Sequence, residues 1–258
     1  MDLTIDQLLQ GKATKIRNRD YLPTRAYVEP FLERMSKMTS DFKIQVKLPD
    51  QVTRTIEGDI NQDDITYNRV LIQAVLPDAF YDNHQEVIGM VYGLDVRKPI
   101  FKIYRGAINC ACTNLCIFNP SFLNVQFIEP DKGISYKPVE NLMQQASDMK
   151  LMLDTLKETE WEGSIQNIES NLGRWIRNAM SLEYDMGYGK IKLGTDTVIK
   201  AYGSMFVNSE SSYYIGEGNN VNMFDVYNAF TELISNDSGK DIMNKCEKTM
   251  LLRQILDF

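Results

Sequence analysis

The chain has 258 residues and a formal net charge of −7 at pH 7, with 43% hydrophobic and 24% charged residues. These proportions are ordinary for a globular protein, and the length suffices for one large domain or two small ones. No apolar run reaches the roughly 18 residues that a membrane span needs, and the first residues do not resemble a secretory leader. Because four cysteines are too few for a disulfide scaffold, we expect a cytoplasmic protein with no membrane partner.

The first half of the chain predicts one helix and then a series of strands. Tyr27–Met38 has apolar residues at helical spacing, whereas Lys43–Leu48 alternates strictly and, with Val52–Ile56, has the pattern of a hairpin. Further strands are expected at Tyr67–Leu76, Val87–Leu94, Pro99–Arg105, Ile108–Phe118 and Asn124–Ile128. The connections are too short for crossover helices, so the sheet should be mostly antiparallel.

The second half of the chain is predicted to be helical. Helical spacing of apolar residues is found in Val139–Thr159, Ser164–Glu183, Met223–Ser235 and Lys240–Leu256. Val198–Val207 fits either a helix or a strand. The fold class that follows is α+β, with a mostly antiparallel sheet in the N-terminal half and packed helices after it. We expect residues 1–40 to form a helical, basic arm and residues 41–258 a single α+β domain, with a seam near residues 130–138.

Positive charge is concentrated near the N-terminus. Between Lys12 and Lys47 there are nine basic and four acidic residues, a net charge of +5 that leaves −12 for the rest of the chain. A local basic surface can contact phosphates even on an acidic protein, and aromatic residues among the bases suit stacking on single strands. Candidate nucleic-acid contacts are Lys12, Lys15, Arg17, Arg19, Tyr21, Arg25, Arg54 and Arg69. The alternative interpretation is a solvated helix face and loop.

No recognised catalytic or metal-binding constellation accompanies this basic segment. Cys110, Cys112 and Cys116 lie along an apolar predicted strand, which favours packing in the core over zinc ligation. His84 is the only histidine, and its polar sequence neighbours are typical of a solvated turn. No nucleophile motif accompanies it that would need a histidine as general base. We therefore expect no catalytic residues, no metal and no cofactor, and an enzyme is the less favoured class.

Two short polar signatures interrupt otherwise apolar segments. One is Cys112-Thr113-Asn114-Leu115, and the other is Tyr227-Asn228-Ala229-Phe230-Thr231-Glu232. A buried polar group that lacks a hydrogen bond costs about 1–3 kcal/mol, so an asparagine in such a segment usually has a specific partner. We expect Asn114, Asn228, Thr231 and Glu232 to form a structural polar junction, with a ligand site as the alternative.

The same signatures carry a family resemblance. Arg105-Gly106 followed by Cys112-Thr113-Asn114-Leu115 resembles the R-x-V-C-T/S-N-G/T-L segment of the phage- and plasmid-encoded family called domain of unknown function 932. Tyr227–Glu232 resembles the N-A-x-T-E segment of that family, in the same order along the chain. The resemblance implies a protein of a bacteriophage or other mobile element that acts in the host cytoplasm, in a family with no established activity.

Two function classes are open at this point. The first is a non-catalytic protein of nucleic-acid metabolism that binds or anneals single-stranded DNA or assists recombination, and that works as a homo-oligomer. The predicted antiparallel sheet backed by a long helix is similar to the fold of phage annealing proteins, a comparison by analogy only. The basic segment adds support to this class. The second is a phage protein that acts through contacts with a host or phage protein, as a host-defence inhibitor or an assembly partner.

Overall fold

The structure is a computed structural model in two compact units. It describes residues 6, 9–10, 13–16, 18–47, 53–55, 69–81, 84–94, 100–109, 115–116, 123–144, 146–161, 165–182, 184–185, 190–211, 214–215, 221–238 and 242–256. The first unit comprises Met1–Ala107, Ser121–Gln145 and Lys240–Met243, and the second comprises Ile108–Pro120, Ala146–Gly239 and Asn244–Phe258. The predicted seam at residues 130–138 therefore lies inside the first unit.

The first unit begins with a hairpin and a helix. Strands β1 (Thr14–Ile16) and β2 (Arg19–Tyr21) pair antiparallel, and α1 spans Thr24–Met35. The buried residues of α1 recur at helical spacing and are Thr24, Tyr27, Val28, Phe31, Leu32 and Met35. The helix ends before Met38, because the N–H groups of Met38 and Thr39 both bond to the Met35 carbonyl in a closing turn, at 2.8 and 3.0 Å.

Antiparallel strands form the sheet of the first unit. The strands β3 (Phe42–Lys47), β4 (Thr53–Thr55), β5 (Arg69–Tyr81) and β6 (His84–Gly93) lie in the order β4-β3-β5-β6. The order continues with β7 (Ile100–Asn109) and β8 (Leu115–Cys116), and β9 (Leu123–Phe127) pairs antiparallel with β7. The last two residues of β7 belong to the second unit. All residues from Val70 to Val75 are buried, and since strand side chains alternate in direction, both faces of β5 are covered.

A glycine in β6 permits a hydrogen bond that reaches across this strand. Gly89 lies opposite Gln73 of β5 in the strand register, and a Cβ atom at position 89 would overlap the ring of Tyr104 in β7. The Nε2 of Gln73 donates a hydrogen bond of 2.5 Å to the Tyr104 hydroxyl, and both side chains are buried. The ring therefore occupies the space that a side chain at position 89 would need.

Helix α2 (Lys137–Gln144) completes the first unit, and α1 packs against the sheet. The ring of Tyr27 stacks on that of Tyr92 in β6, with ring centroids 5.3 Å apart. The hydroxyl of Tyr136, just before α2, donates a hydrogen bond to the Tyr27 carbonyl, and its ring meets that of Phe101 edge-on. The α1 part of the predicted arm is thus bound into the first unit through aromatic contacts.

The second unit is built mainly from helices. They are α3 (Ala146–Glu158), α4 (Ile165–Ser181), α5 (Thr195–Phe206), α6 (Met223–Ser238) and α7 (Ile242–Leu256). Two-residue strands add the pairs β10 (Glu160–Trp161) with β13 (Val221–Asn222) and β11 (Tyr184–Asp185) with β12 (Lys190–Ile191). Trp175 of α4 packs edge-on against Phe230 of α6, and the Nδ2 of Asn178 donates a 2.9 Å hydrogen bond to the Ile255 carbonyl of α7.

The α+β class with an antiparallel sheet before the helices is confirmed, and several local predictions are corrected. The strand predicted to end at Arg105 continues to Asn109, and Gly106 is a buried residue within it. The single helix predicted at Val139–Thr159 is two helices, α2 and α3. Of Val198–Val207, which fitted a helix or a strand, residues 198–206 lie in helix α5 and Val207 follows it. His84 is 3% exposed at the start of β6, so the predicted solvated turn is wrong.

None of the helices described in the structure has the length and apolar character needed to cross a membrane.

Candidate nucleic-acid interface

The hairpin β1–β2 places part of the basic segment in a tight turn. In the strand register Lys15 lies opposite Asp20 and Ile16 lies opposite Arg19. Asn18, in the turn before Arg19, has φ = 63°, a left-handed conformation that asparagine tolerates better than most residues. The hairpin therefore brings positions 15 and 19 onto neighbouring strands.

Two tyrosines of the basic segment are buried and anchor it. Tyr21 at the end of β2 is 6% exposed, and Tyr27 of α1 is fully buried. The Tyr27 hydroxyl accepts a 3.1 Å hydrogen bond from the Leu22 N–H and donates one of 3.5 Å to the Pro130 carbonyl. Burial raises the pKa of this hydroxyl, so it stays protonated and able to donate. Neither ring is open to a nucleobase in this conformation, so the stacking expected of Tyr21 requires another residue.

Within the basic segment, two of the described basic side chains form ion pairs with acids. Arg25 pairs with Glu29 at 3.4 Å on the exposed face of α1. Arg34 pairs with Glu140 at 3.8 Å, donates a 2.9 Å hydrogen bond to the Pro30 carbonyl, and lies 4.9 Å from the centroid of the Tyr136 ring. The charge of Arg25, a predicted contact, is therefore partly compensated.

Three exposed cations of the basic segment have no ion pair among the described residues. They are Arg19 in β2, Lys37 after α1 and Lys43 in β3. Arg19 was among the predicted contacts, whereas Lys37 and Lys43 contributed only to the charge count. A sequence pattern cannot reveal which bases are paired, because pairing with Glu29 or Glu140 depends on the folded backbone.

The other predicted nucleic-acid contacts are outside the described residues or are described only by their backbone. Lys12 and Arg17 are outside the described residues. Lys15, Arg54 and Arg69 lie in β1, β4 and β5, but only their backbone positions are described. The structure therefore brings Lys15 and Arg19 onto one hairpin and places Arg54 and Arg69 in the sheet of the same unit.

An open pocket of about 620 Å³, here named the α1–β3 pocket, lies beside the end of α1. Its walls include the charged residues Lys37 and Asp41 and the apolar residues Met38, Val75 and Pro77. Met38 is 37% exposed, which is high for a side chain of its size. The pocket thus combines a cation, a carboxylate and an apolar surface within the first unit.

Hydrogen bonds hold the loop that forms this pocket against β5. The Thr39 hydroxyl donates to the Val75 carbonyl at 2.6 Å and accepts from the Asp41 N–H at 3.0 Å. The Val75 N–H donates in turn to the Asp41 carbonyl at 3.0 Å. Because these bonds involve the backbone on both sides, the wall of the pocket is fixed without a ligand.

A buried ion pair joins Glu86 of β6 to Arg105 of β7. Arg105 is the arginine that precedes the first signature in the family resemblance. Arg105 is 2% exposed, and its guanidinium pairs with the Glu86 carboxylate and donates a 2.6 Å hydrogen bond to the Leu142 carbonyl of α2. Burial raises the pKa of Glu86, and the nearby Arg105 opposes this shift. Such a pair positions β6, β7 and α2 and presents no open site for a ligand.

The second signature lies on α6, which contacts β8 in the second unit. Asn228 is 8% exposed, and among the described residues its Oδ1 has no hydrogen-bond partner, while its backbone carbonyl accepts a 3.0 Å bond from the Thr231 hydroxyl. On the β8 side, Thr249 of α7 donates a 3.2 Å bond to the Leu115 carbonyl.

The remaining members of the predicted polar junction are described only in part. Burial raises the pKa of Glu232, whose side chain lies on α6 with Asn228 and Thr231. Asn114 is outside the described residues, so its predicted contact with Asn228 is untested, but its neighbour Leu115 lies in the strand that α6 contacts. The structure therefore brings the elements of the two signatures together.

The chain has no match among known protein families, curated proteins or solved structures. The resemblance to the family called domain of unknown function 932 therefore stays a prediction. Within the described part of the chain, no three histidine, cysteine, aspartate or glutamate side chains are grouped so that they could hold a metal ion.

Proposed function

We propose that this protein binds single-stranded DNA without catalysis, through the basic segment of its first unit. The observation that carries the proposal is the set of exposed cations Arg19, Lys37 and Lys43, which have no ion pair within the described part of the chain and lie in a segment of net charge +5. The rest of the chain carries −12 and would repel phosphates, so a strand would be confined to this segment.

The strength of such binding follows from counterion release. Each neutralised phosphate contributes about −0.7 to the slope of log K against log salt for a single strand. Contacts by Arg19, Lys37 and Lys43 alone would give a slope of about −2, and further contacts by Lys12, Lys15 or Arg17 would make it steeper. Affinity in the micromolar range at low salt, with this slope, is the expected behaviour.

Fluorescence anisotropy of a labelled single-stranded oligonucleotide at several salt concentrations tests the proposal. We expect the triple variant Arg19→Gln, Lys37→Gln, Lys43→Gln to reduce the slope by about 2. The matched control is Lys150→Gln with Lys200→Gln, which removes two exposed lysines of α3 and α5 in the second unit and should leave the slope unchanged. Absence of salt-dependent binding at micromolar protein would overturn the proposal.

The biological setting is proposed with the function. On the sequence resemblance, we place the protein in the cytoplasm of a host cell that carries a phage or mobile element, where it would act as an accessory of annealing or recombination. Proteins that coat single strands often assemble cooperatively along them. We expect a homo-oligomer whose mass, measured by light scattering with and without oligonucleotide, exceeds that of one chain; a single-chain mass in both states would contradict this part.

One observation favours the alternative, a phage protein that acts through protein contacts. Ile199 of α5 and Val207, the residue after this helix, are 51% and 72% exposed, and a Cβ atom added to Gly203 between them would meet no described atom within 4 Å. Residues four apart lie along one side of a helix, so the C-terminal half of α5 and the residue after it present apolar groups on one side. If a host-defence factor or an assembly partner binds there, Ile199→Ser with Val207→Ser will abolish its recovery from host lysate while binding to DNA is unchanged. Equal recovery of the partner by the wild-type protein and by the double variant would contradict this alternative.

A further inference from the structure

We propose that the α1–β3 pocket takes one nucleotide of the bound strand and prefers a base that carries an amino group. This inference rests on the proposed binding of single-stranded DNA and names the subsite within it. The pocket volume of about 620 Å³ lies within the range of pockets that hold small organic ligands. It belongs to the first unit, and Lys37 of the basic segment forms part of its wall.

The apolar wall of the pocket suits the face of a nucleobase. Met38 is 37% exposed there, beside Pro77 and the buried Val75. A thioether makes favourable contacts with aromatic rings, and every base offers a π-face. Tyr21 and Tyr27 are buried, whereas Leu22 and Met38 are exposed large apolar side chains among the described residues of this segment. Met38 lines the pocket and can therefore take over the stacking role.

The polar walls give the nucleotide a direction. Lys37 is an exposed cation without an ion pair in the described residues, and it can contact a phosphate. Asp41, on the same pocket, carries a carboxylate that is likewise unpaired, and a carboxylate repels phosphate but accepts hydrogen bonds from an amino group. The geometry therefore assigns the phosphate to Lys37 and the amino edge of the base to Asp41.

This arrangement predicts discrimination between bases. Adenine, cytosine and guanine carry an amino group, and thymine has none. A base with an exocyclic amino group offers Asp41 N–H donors at its rim for a charge-assisted hydrogen bond, whereas the N3–H of thymine lies between two carbonyl oxygens that repel the carboxylate. We expect oligo-dC to bind about tenfold more tightly than oligo-dT of the same length, the effect of one such hydrogen bond.

Anisotropy titrations of oligo-dC and oligo-dT with the full chain test this inference. Asp41→Asn should bring the dC/dT affinity ratio below about two; the ratio is the readout because removal of a negative charge strengthens binding to any strand. Met38→Ala should weaken binding of both strands about fivefold. The controls are Asp196→Asn and Met180→Ala, which change an exposed aspartate and an exposed methionine of the second unit.

The outcomes separate the pocket from the function as a whole. Salt-dependent binding with equal affinity for the two strands, or an unchanged ratio in Asp41→Asn, overturns the pocket and leaves the proposed function standing. The absence of binding to either strand overturns both. Because Met38 and Asp41 are exposed, both variants should keep the wild-type circular dichroism spectrum and melting temperature, and a lowered melting temperature that accounts for the lost affinity also counts against the pocket.

Discussion

Truncation of Glu86 should reveal what the buried ion pair contributes to stability. Glu86→Ala leaves the Arg105 guanidinium, with 3% of its side chain exposed, without its anionic partner. Loss of one partner of a buried pair costs about 3–5 kcal/mol. The Leu142 carbonyl still accepts a hydrogen bond from Arg105, and the Glu86 side chain is itself 13% exposed, so water can enter. We therefore expect a loss of about 2–4 kcal/mol in the free energy of unfolding.

Glu86→Gln should behave differently, because it resembles the protonated acid. Burial raises the pKa of Glu86 above its unfolded value, so the folded protein binds this proton more tightly than the unfolded chain does. The corresponding stability is fully present below the unfolded pKa and is lost as the pH rises through the raised folded pKa. Glutamine does not titrate and still offers an oxygen to Arg105, though no charge, so at pH 7 Glu86→Gln should lose less stability than Glu86→Ala, by about 1–2 kcal/mol.

Urea denaturation followed by circular dichroism measures both variants. We expect the stability of Glu86→Gln relative to wild type to improve as the pH rises from the unfolded pKa of glutamate through the raised folded pKa of Glu86. Glu29→Ala, which breaks the exposed pair with Arg25, is the control and should change stability by less than about 1 kcal/mol. If Glu86→Gln loses as much stability as Glu86→Ala at pH 7, the carboxylate charge is needed and the reasoning from burial is refuted.

Three further predictions concern single groups in the two units. Gly89→Ala should destabilise by about 1–3 kcal/mol, because the added methyl overlaps the buried Tyr104 ring, and most of this loss should vanish in a Tyr104→Ala background in the same urea assay. Thr249→Val should cost about 1–2 kcal/mol in thermal unfolding, since it leaves the buried Leu115 carbonyl without this donor; no change would mean that another donor replaces it. Asn228→Leu should leave stability unchanged or raise it, because the buried Asn228 Oδ1 has no hydrogen bond to any residue that the structure describes; a loss above about 1 kcal/mol would show that this side chain has a partner elsewhere, such as Asn114.

Local patterns predicted the elements well where one face of the element is buried. The alternation in Lys43–Leu48 corresponds to β3, and the helical spacing in Ser164–Glu183 corresponds to α4. The periodicity of apolar residues directly records burial, so these elements needed no tertiary information. The prediction for His84 was wrong because its sequence neighbours are polar, which indicated a solvated turn, whereas the strand that it begins is buried on both faces.

The candidate interface was predictable only as a region. The charge of +5 between Lys12 and Lys47 is visible in the sequence, but the choice of Lys37 and Lys43 over Arg25 depends on ion pairs formed in the fold. The burial of Tyr21 likewise follows from packing at the end of β2. The α1–β3 pocket had no sequence signal, because its walls come from segments more than thirty residues apart.

The sequence by itself determined the α+β class, the antiparallel pairing and the concentration of positive charge, since each depends on the order and spacing of neighbouring residues. Only the tertiary structure decided which cations lack an ion pair among the described residues, that Glu86 pairs with Arg105, and that α6 contacts β8. These are long-range contacts, and their partners are chosen by the packing of whole elements. A local pattern contains the tendency of a segment to form a helix or a strand and carries no record of what that segment will face.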